Sequence, residues 1–193
     1  MSCIKRIQIG DTIYEANVDF RVAIQCNNIA KDKTIGDYER SLAIIYTMFG
    51  EKGLDNENHY DKLLKWILNY LSCGEEIENT QEEPDMDYEQ DMEYIEASFM
   101  SDYQIDLENV EMEWHKFNKL MNGLSNSELG NCCVLNRVRN LRNYDTSQIK
   151  DLKERAKIEK AKRSVALKKE EKDVILNDEQ QKSVDEFYKS LGY

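Results

Sequence analysis

The sequence predicts a mainly α-helical fold: an N-terminal β-hairpin, then a bundle of about six helices, closed by a long charged C-terminal helix. Three observations point there. Only one proline (Pro84) and eight glycines punctuate 193 residues, too few for the many tight turns of an all-β chain. Apolar residues recur at spacings of three and four through most of the chain, the period of an amphipathic helix. Only the first eighteen residues alternate polar and apolar side chains, as a half-buried strand does.

The elements follow in order. Ile4 to Ile9 reads as a strand, Gly10-Asp11 as a two-residue turn and Thr12 to Val18 as the return strand. A lone hairpin is marginal in water, so this one should pack on helices. Asp19 is placed to cap a helix from Phe20 to about Ile29. A second helix is predicted from Asp37 to Phe49, with Tyr38, Leu42, Ile45 and Phe49 on one face, ended by Gly50 and Gly53. Asn56 should cap a third, carrying Tyr60, Leu63, Leu64, Ile67 and Leu71 inward, with Gly74 as its stop.

From Glu75 to Glu96 there are eleven Asp/Glu and no Lys/Arg. The first half, through Pro84, holds almost no apolar residues and reads as a solvated linker. Periodicity returns with Tyr88, Met92, Ile95 and Phe99, predicting a fourth helix from near Asp87. A fifth is predicted from about Glu108 to Asn122 with Val110, Trp114, Phe117 and Met121 inward. Ser125 or Asn126 should cap a sixth, carrying Leu129, Val134, Leu135 and Val138. A charged helix is predicted from Ser147 to about Lys172. Val184, Phe187, Tyr188 and Leu191 mark a small amphipathic helix within 177–191. The implied organisation is 1–74 (hairpin and helices), 75–86 (acidic linker), 87–145 (helical region) and 146–193 (charged helix and tail).

Composition narrows the function. The hydrophobic fraction is 40% and the charged fraction 33%, against the usual ~45–50% and ~25%, so a folded core carries polar appendages. No run nears the ~20 apolar residues that span a bilayer, and the N-terminus lacks the apolar core of a signal peptide; a soluble, cytoplasmic protein is expected. Five cysteines, an odd number without a Cys-x-x-Cys pair, suggest reduced thiols and neither a disulfide framework nor a zinc site. A net charge of −12 repels nucleic acid and anionic membrane unless a basic patch is segregated. The one candidate patch, Lys150 to Lys172, has ten Lys/Arg against five Asp/Glu. Its interleaved glutamates and lack of aromatics favour a solvated or partner-docking helix over a nucleic-acid site.

Catalytic constellations are weak. Of two histidines, His115 lies one turn from Glu111, a pairing more often structural than catalytic. There is no Gly-rich phosphate loop, His-Glu-x-x-His or Gly-x-Ser-x-Gly. The run Glu82 to Asp87 lacks the bend glycine of a calcium loop. No catalytic, cofactor-binding or metal-ligating residue is predicted, and no cofactor.

The order of pieces resembles a family of tailed-phage and prophage proteins of Gram-positive hosts, the bacteriophage gene product fifteen family. The resemblance is carried by the hairpin running into Val18-Asp19-Phe20-Arg21, by Asp87-Tyr88-Glu89-Gln90-Asp91, Ile95-Glu96-Ala97-Ser98-Phe99, Tyr103-Gln104-Ile105-Asp106-Leu107 and Trp114-His115-Lys116-Phe117, and by Leu120 to Leu124 and Arg137 to Arg142. It spans about residues 4 to 165. The family usually has glycine where Gln104 stands, and often an aromatic where Lys116 stands. The resemblance implies a place in the tail-morphogenesis module and a non-enzymatic tail-assembly chaperone in the host cytoplasm. Such a chaperone would cover the apolar stripes of the tape-measure protein, with the tail-tube protein or a second copy as further partners. The residues singled out for partner contact are Phe99, Tyr103, Trp114, Phe117 and Arg137. The competing readings are a structural part of the tail or head–tail connector, and a nucleic-acid-binding regulator acting through Lys150 to Lys172.

Overall fold

The computed structural model describes residues 3–74, 84–126 and 132–168. Strands β1 (Ile4–Ile9) and β2 (Thr12–Asn17) form the antiparallel hairpin. Ile9 pairs with Thr12 and Ile4 with Asn17, so the register is set by the two-residue turn, where Gly10 adopts φ +61°. Alternation puts Tyr14 and Ala16 against the helices and leaves Ile4, Arg6, Ile13 and Glu15 outward.

Helix α1 (Phe20–Lys31) starts where Asp19 accepts the Arg21 amide, as its sequence position predicts. Helix α2 (Asp37–Phe49) ends at Gly50, φ +65°. Its buried stripe is Ile44, Ile45, Met48 and Phe49, and Tyr38 is exposed; the predicted face was rotated, because α2 packs on the hairpin as well as on α1. A 3₁₀ turn (Glu51–Leu54) and another (Glu57–His59), begun where Asn56 accepts the Asn58 amide, lead into α3 (Tyr60–Leu71). Its buried side chains are Leu63, Ile67 and Tyr70.

The second half departs more from expectation. Helix α4 (Met92–Tyr103) begins one turn later than predicted. The preceding residues, Asp87 to Asp91, form a turn in which the Asp87 and Asp91 carboxylates accept nearby backbone amides. Helix α5 (Trp114–Asn122) also starts late. Residues 110–113 are not helical, and Glu113 is extended and bridges Asp19 at the hairpin's exit: Phe20 donates its amide to the Met112 carbonyl (2.9 Å) and Trp114 donates to the Val18 carbonyl (3.0 Å). Tertiary pairing has taken this segment from the helix its apolar spacing predicts. Helix α6 (Val134–Asn143) is capped by Cys133, whose sulfur accepts the Asn136 amide (3.4 Å), not by Ser125 or Asn126; Leu129 lies outside the described residues.

The charged C-terminal helix is α7 (Leu152–Ser164), capped by Asp151. It starts five residues after the predicted Ser147 and ends at Ser164, the predicted end near Lys172 lying outside the described residues, as does the amphipathic stretch 177–191. No residue of α7 is buried, which fits a solvated helix with few apolar positions.

One apolar cluster takes side chains from Ile9 through Leu135, drawing on both sides of the acidic segment. All five cysteines are free; burial pushes the Cys26 thiol up to about 12. No helix among the described residues is long and apolar enough to cross a membrane.

Candidate interaction surface

The residues singled out for partner contact divide between core and surface. Phe99 and Phe117 are fully buried and Trp114 nearly so. They belong to an aromatic stack at the centre of the molecule: Phe20 on Phe117 (centroids 4.6 Å), Phe117 on Phe99 (5.2 Å) and Trp114 beside Phe117 (5.8 Å). Trp114 also donates its indole N–H to the Leu71 carbonyl (2.9 Å), joining α5 to the end of α3. Tyr103 is half-buried and donates its hydroxyl to the Leu120 carbonyl (2.9 Å). Arg137 alone of the five is exposed. Phe99, Trp114 and Phe117 are thus part of the apolar core.

The histidines are absorbed by the same framework. A His115 ring nitrogen lies 2.9 Å from the Tyr70 carbonyl and the imidazole stacks on the Tyr70 ring at 4.2 Å. His59 pairs with the Tyr14 hydroxyl (2.8 Å). The Glu113 carboxylate takes hydrogen bonds from Lys5 and from the Tyr70 hydroxyl, and these hold it below the ordinary glutamate range against the opposing effect of burial. Burial, then the Glu113 contact, pushes the Tyr70 phenol up. Among the described residues no three His, Cys, Asp or Glu side chains are grouped to hold a metal ion.

A polar knot, which the sequence did not reveal, ties the second half together. Arg142 grips the fully buried Asp91 through its two terminal guanidinium nitrogens (2.6 and 2.7 Å). It also donates to the carbonyls of Asp85 (2.9 Å) and Val165 (2.6 Å). Asp85 meets Arg139 (3.0 Å) and Asn143 (3.2 Å). Gln90 exchanges two hydrogen bonds with the backbone of Lys168 (2.7 and 3.2 Å). Ser98, buried on α4, accepts the Leu135 amide (2.9 Å) and fixes the start of α6. Each buried polar group named here is paired, as burial requires.

Concave surfaces among the described residues include a cleft and a groove. A broad cleft of about 1000 Å³ runs between the hairpin and the α1 and α2 helices, and charged residues rim it: Glu15, Asp19, Arg21, Lys52 and Glu111. A smaller groove of about 320 Å³ lies between α2 and α3. Its walls are Tyr38, Leu42, Ile45, Tyr60 and Leu64; its rim carries Ser41, Glu57 and Asp61. Tyr38 is 61% exposed, and Leu68, next along α3, is 53% exposed. Sequence periodicity placed Tyr38, Leu42, Tyr60 and Leu64 on the apolar faces of their helices; that those faces leave a furrow between them is a tertiary result. Helix α7 offers a third surface, with six Lys/Arg, two Glu and Leu152 79% exposed.

A family model described as "Bacteriophage Gp15 protein" matches residues 2–167. No curated protein and no solved structure matches the chain.

Proposed function

Because the chain belongs to the Bacteriophage Gp15 protein family, a non-enzymatic family of the phage tail-morphogenesis module, we propose that it is a tail-assembly chaperone that holds the tape-measure protein by seating an amphipathic helix of it between α2 and α3. The observation that carries this reading is the groove itself: apolar walls, an acidic rim and a width set by two helices, the features of helix-in-groove recognition. A guest helix would place residues at i, i+3, i+4 and i+7 against Tyr38, Leu42, Tyr60 and Leu64. Arg137 and Tyr103 belong to the proposed contact surface as a secondary patch; Phe99, Trp114 and Phe117 support it from the core. The charge of −12 would keep the loaded complex dispersed in the host cytoplasm. Tube subunits polymerising around the tape measure would displace it.

Co-expression with the tape-measure product tests the reading. The wild-type chain should co-purify with it and be absent from purified virions by mass spectrometry. The double substitution Tyr38→Glu/Leu64→Glu should cut capture at least about tenfold, as the loss of two apolar anchors implies, with the far-ultraviolet dichroism retained. Multiple copies in the virion would instead make the chain a structural tail component, and unchanged capture by the double variant would remove the groove from the mechanism.

A further inference from the structure

Helix α7 turns a basic face to solvent. Leu152 and Ala156 stand four apart, and Lys153, Lys157 and Lys160 stand beside them at spacings of four and three, so on a helix all five share one side. All five are exposed. The two glutamates of α7 fall outside this arc, and Glu159 is already taken by Arg155 (2.9 Å). Lys153, Lys157 and Lys160 form no salt bridge among the described residues. The opposite side of the helix is anchored: Ile158, Ala161 and Val165 are half-buried, Arg142 donates to the Val165 carbonyl, Lys162 donates to the Tyr144 carbonyl, and Lys168 is bonded to Gln90. The lysine face therefore points away from its own body. It cannot turn onto a groove of the same chain without breaking these bonds.

The groove between α2 and α3 is the chemical complement of that face. Two exposed carboxylates rim it, Glu57 and Asp61, and no Lys or Arg lines it. Neither carboxylate forms a salt bridge among the described residues. They stand four apart, the spacing of Lys153 and Lys157, and Asp61 opens the first turn of α3. Tyr38, Leu42 and Leu64 supply the apolar wall against which Leu152 and Ala156 would lie. The hairpin cleft fits a basic helix less well, because Arg21 and Lys52 are among its lining residues and like charges at a contact repel.

We infer that α7 of one copy docks in the α2/α3 groove of a second copy, so that unloaded chains associate head to tail. Helix and groove are different surfaces and every copy carries both, so the contact is heterologous and adds copies into a ring or an open chain. Leu152 and Ala156 are small anchors, and the charges that steer them are exposed. The contact is therefore weak and salt-sensitive. A guest helix with a full apolar stripe at i, i+3, i+4 and i+7 displaces it. The inference rests on the reading above only in taking the groove to accept a helix, and it adds a regulation: the idle chaperone covers its apolar furrow with another copy.

Sedimentation velocity of the full-length chain over a concentration series tests it. At low salt the average mass should rise with concentration, and high salt should return it to that of the monomer. Two charge-reversed variants, Lys153→Glu/Lys157→Glu/Lys160→Glu in the helix and Glu57→Lys/Asp61→Lys at the groove, should each need at least about tenfold more protein to associate, with helical dichroism retained. Mixed one to one, they should associate at the wild-type concentration, because every helix then meets a groove of opposite sign. That rescue separates a lost contact from a damaged fold. A monomer at every concentration, association that the variants leave unchanged, or a mixture that stays monomeric would overturn the inference. So would duplex DNA bound through α7 by a chain that does not self-associate. Rescued association with no capture of the tape-measure product would remove the chaperone reading and leave the inference standing; groove-dependent capture by a strictly monomeric chain would do the reverse.

Discussion

Gln104 shows how one backbone angle can decide a residue. It ends α4 in the left-handed region, φ +56° and ψ +34°, with its amide donating to the Met100 carbonyl (3.1 Å). Glycine takes this conformation without the Cβ penalty that glutamine bears here. Gln104→Gly should raise stability by up to ~1 kcal/mol, less the extra entropy of the unfolded glycine chain, read as a higher urea midpoint at unchanged slope. Arg142 and Asp91 are the opposite case. Their ion pair is removed from water, with side-chain exposures of 9% and 0%, so truncating one partner strands the other. Arg142→Ala should cost ~3–5 kcal/mol, the range for an uncompensated buried charge; Asp91→Asn, which keeps a polar group of the same shape, should cost less. Glu113 links stability to pH. Its folded carboxyl titrates below the ordinary value because of Lys5 and Tyr70. Its contribution is therefore complete above the unfolded value of ~4.3 and is lost as pH falls through the folded one. Glu113→Gln should flatten the acid limb of the stability curve and leave the slope near neutrality unchanged.

Among the elements, the first half was legible because local signals and tertiary contacts agree there. Gly10-Asp11 fixes the hairpin, Asp19 caps α1, Gly50 closes α2, and the observed bounds follow. From Asp87 to Glu113 they conflict. Tyr88 and Val110 continue a helical spacing, yet Asp87 and Asp91 satisfy backbone amides with their carboxylates, and residues 112–114 trade helix bonds for pairing with Val18 and Phe20. Neither the knot around Arg142 nor the furrow between α2 and α3 has a sequence signature, since each depends on where two distant elements cross. Phe99, Trp114 and Phe117 were legible by spacing as inward positions of their helices, and they are buried; that they meet in one stack with Phe20 was not legible. Gly53 was read as a terminator, but its larger role is packing. A Cβ there would sit 2.8 Å from Ile45 Cγ2 and from Phe49 Cβ, so Gly53→Ala should cost ~1–3 kcal/mol by overpacking. Helix α7 should behave differently. It is capped by Asp151, which accepts the Lys153 amide (2.7 Å) and the Glu154 amide (3.3 Å), and it buries nothing. Asp151→Ala should weaken the helix by ~1 kcal/mol, a roughly fivefold rise in amide exchange confined to residues 152–164, with no shift in the global melting temperature.

At the scale of the molecule, the acidic stretch between Gly74 and Pro84 divides the sequence without dividing the core. Trp114 donates to the Leu71 carbonyl, His115 meets the Tyr70 carbonyl, Lys5 pairs with Glu113, and Phe20 stacks on Phe117. Every one of these contacts joins a residue before 75 to one after 84. If the two regions owned separate cores, losing one would leave the other standing. With a shared core, the apolar area that offsets the chain entropy of either region is supplied largely by the other, so unfolding should be a single cooperative step. The two tryptophans allow a direct check, because Trp66 lies on α3 and Trp114 begins α5. In single-tryptophan variants, Trp66→Phe and Trp114→Phe, urea curves followed by the remaining indole and by helical dichroism should superimpose within each variant. Trp114→Phe should also have the lower midpoint, because it deletes the bond to Leu71 as well as part of the stack. Separate midpoints for the indole and the helices would mean that the regions on either side of the acidic stretch fold on their own, and the shared stack would then be a docking contact between two bodies instead of the centre of one.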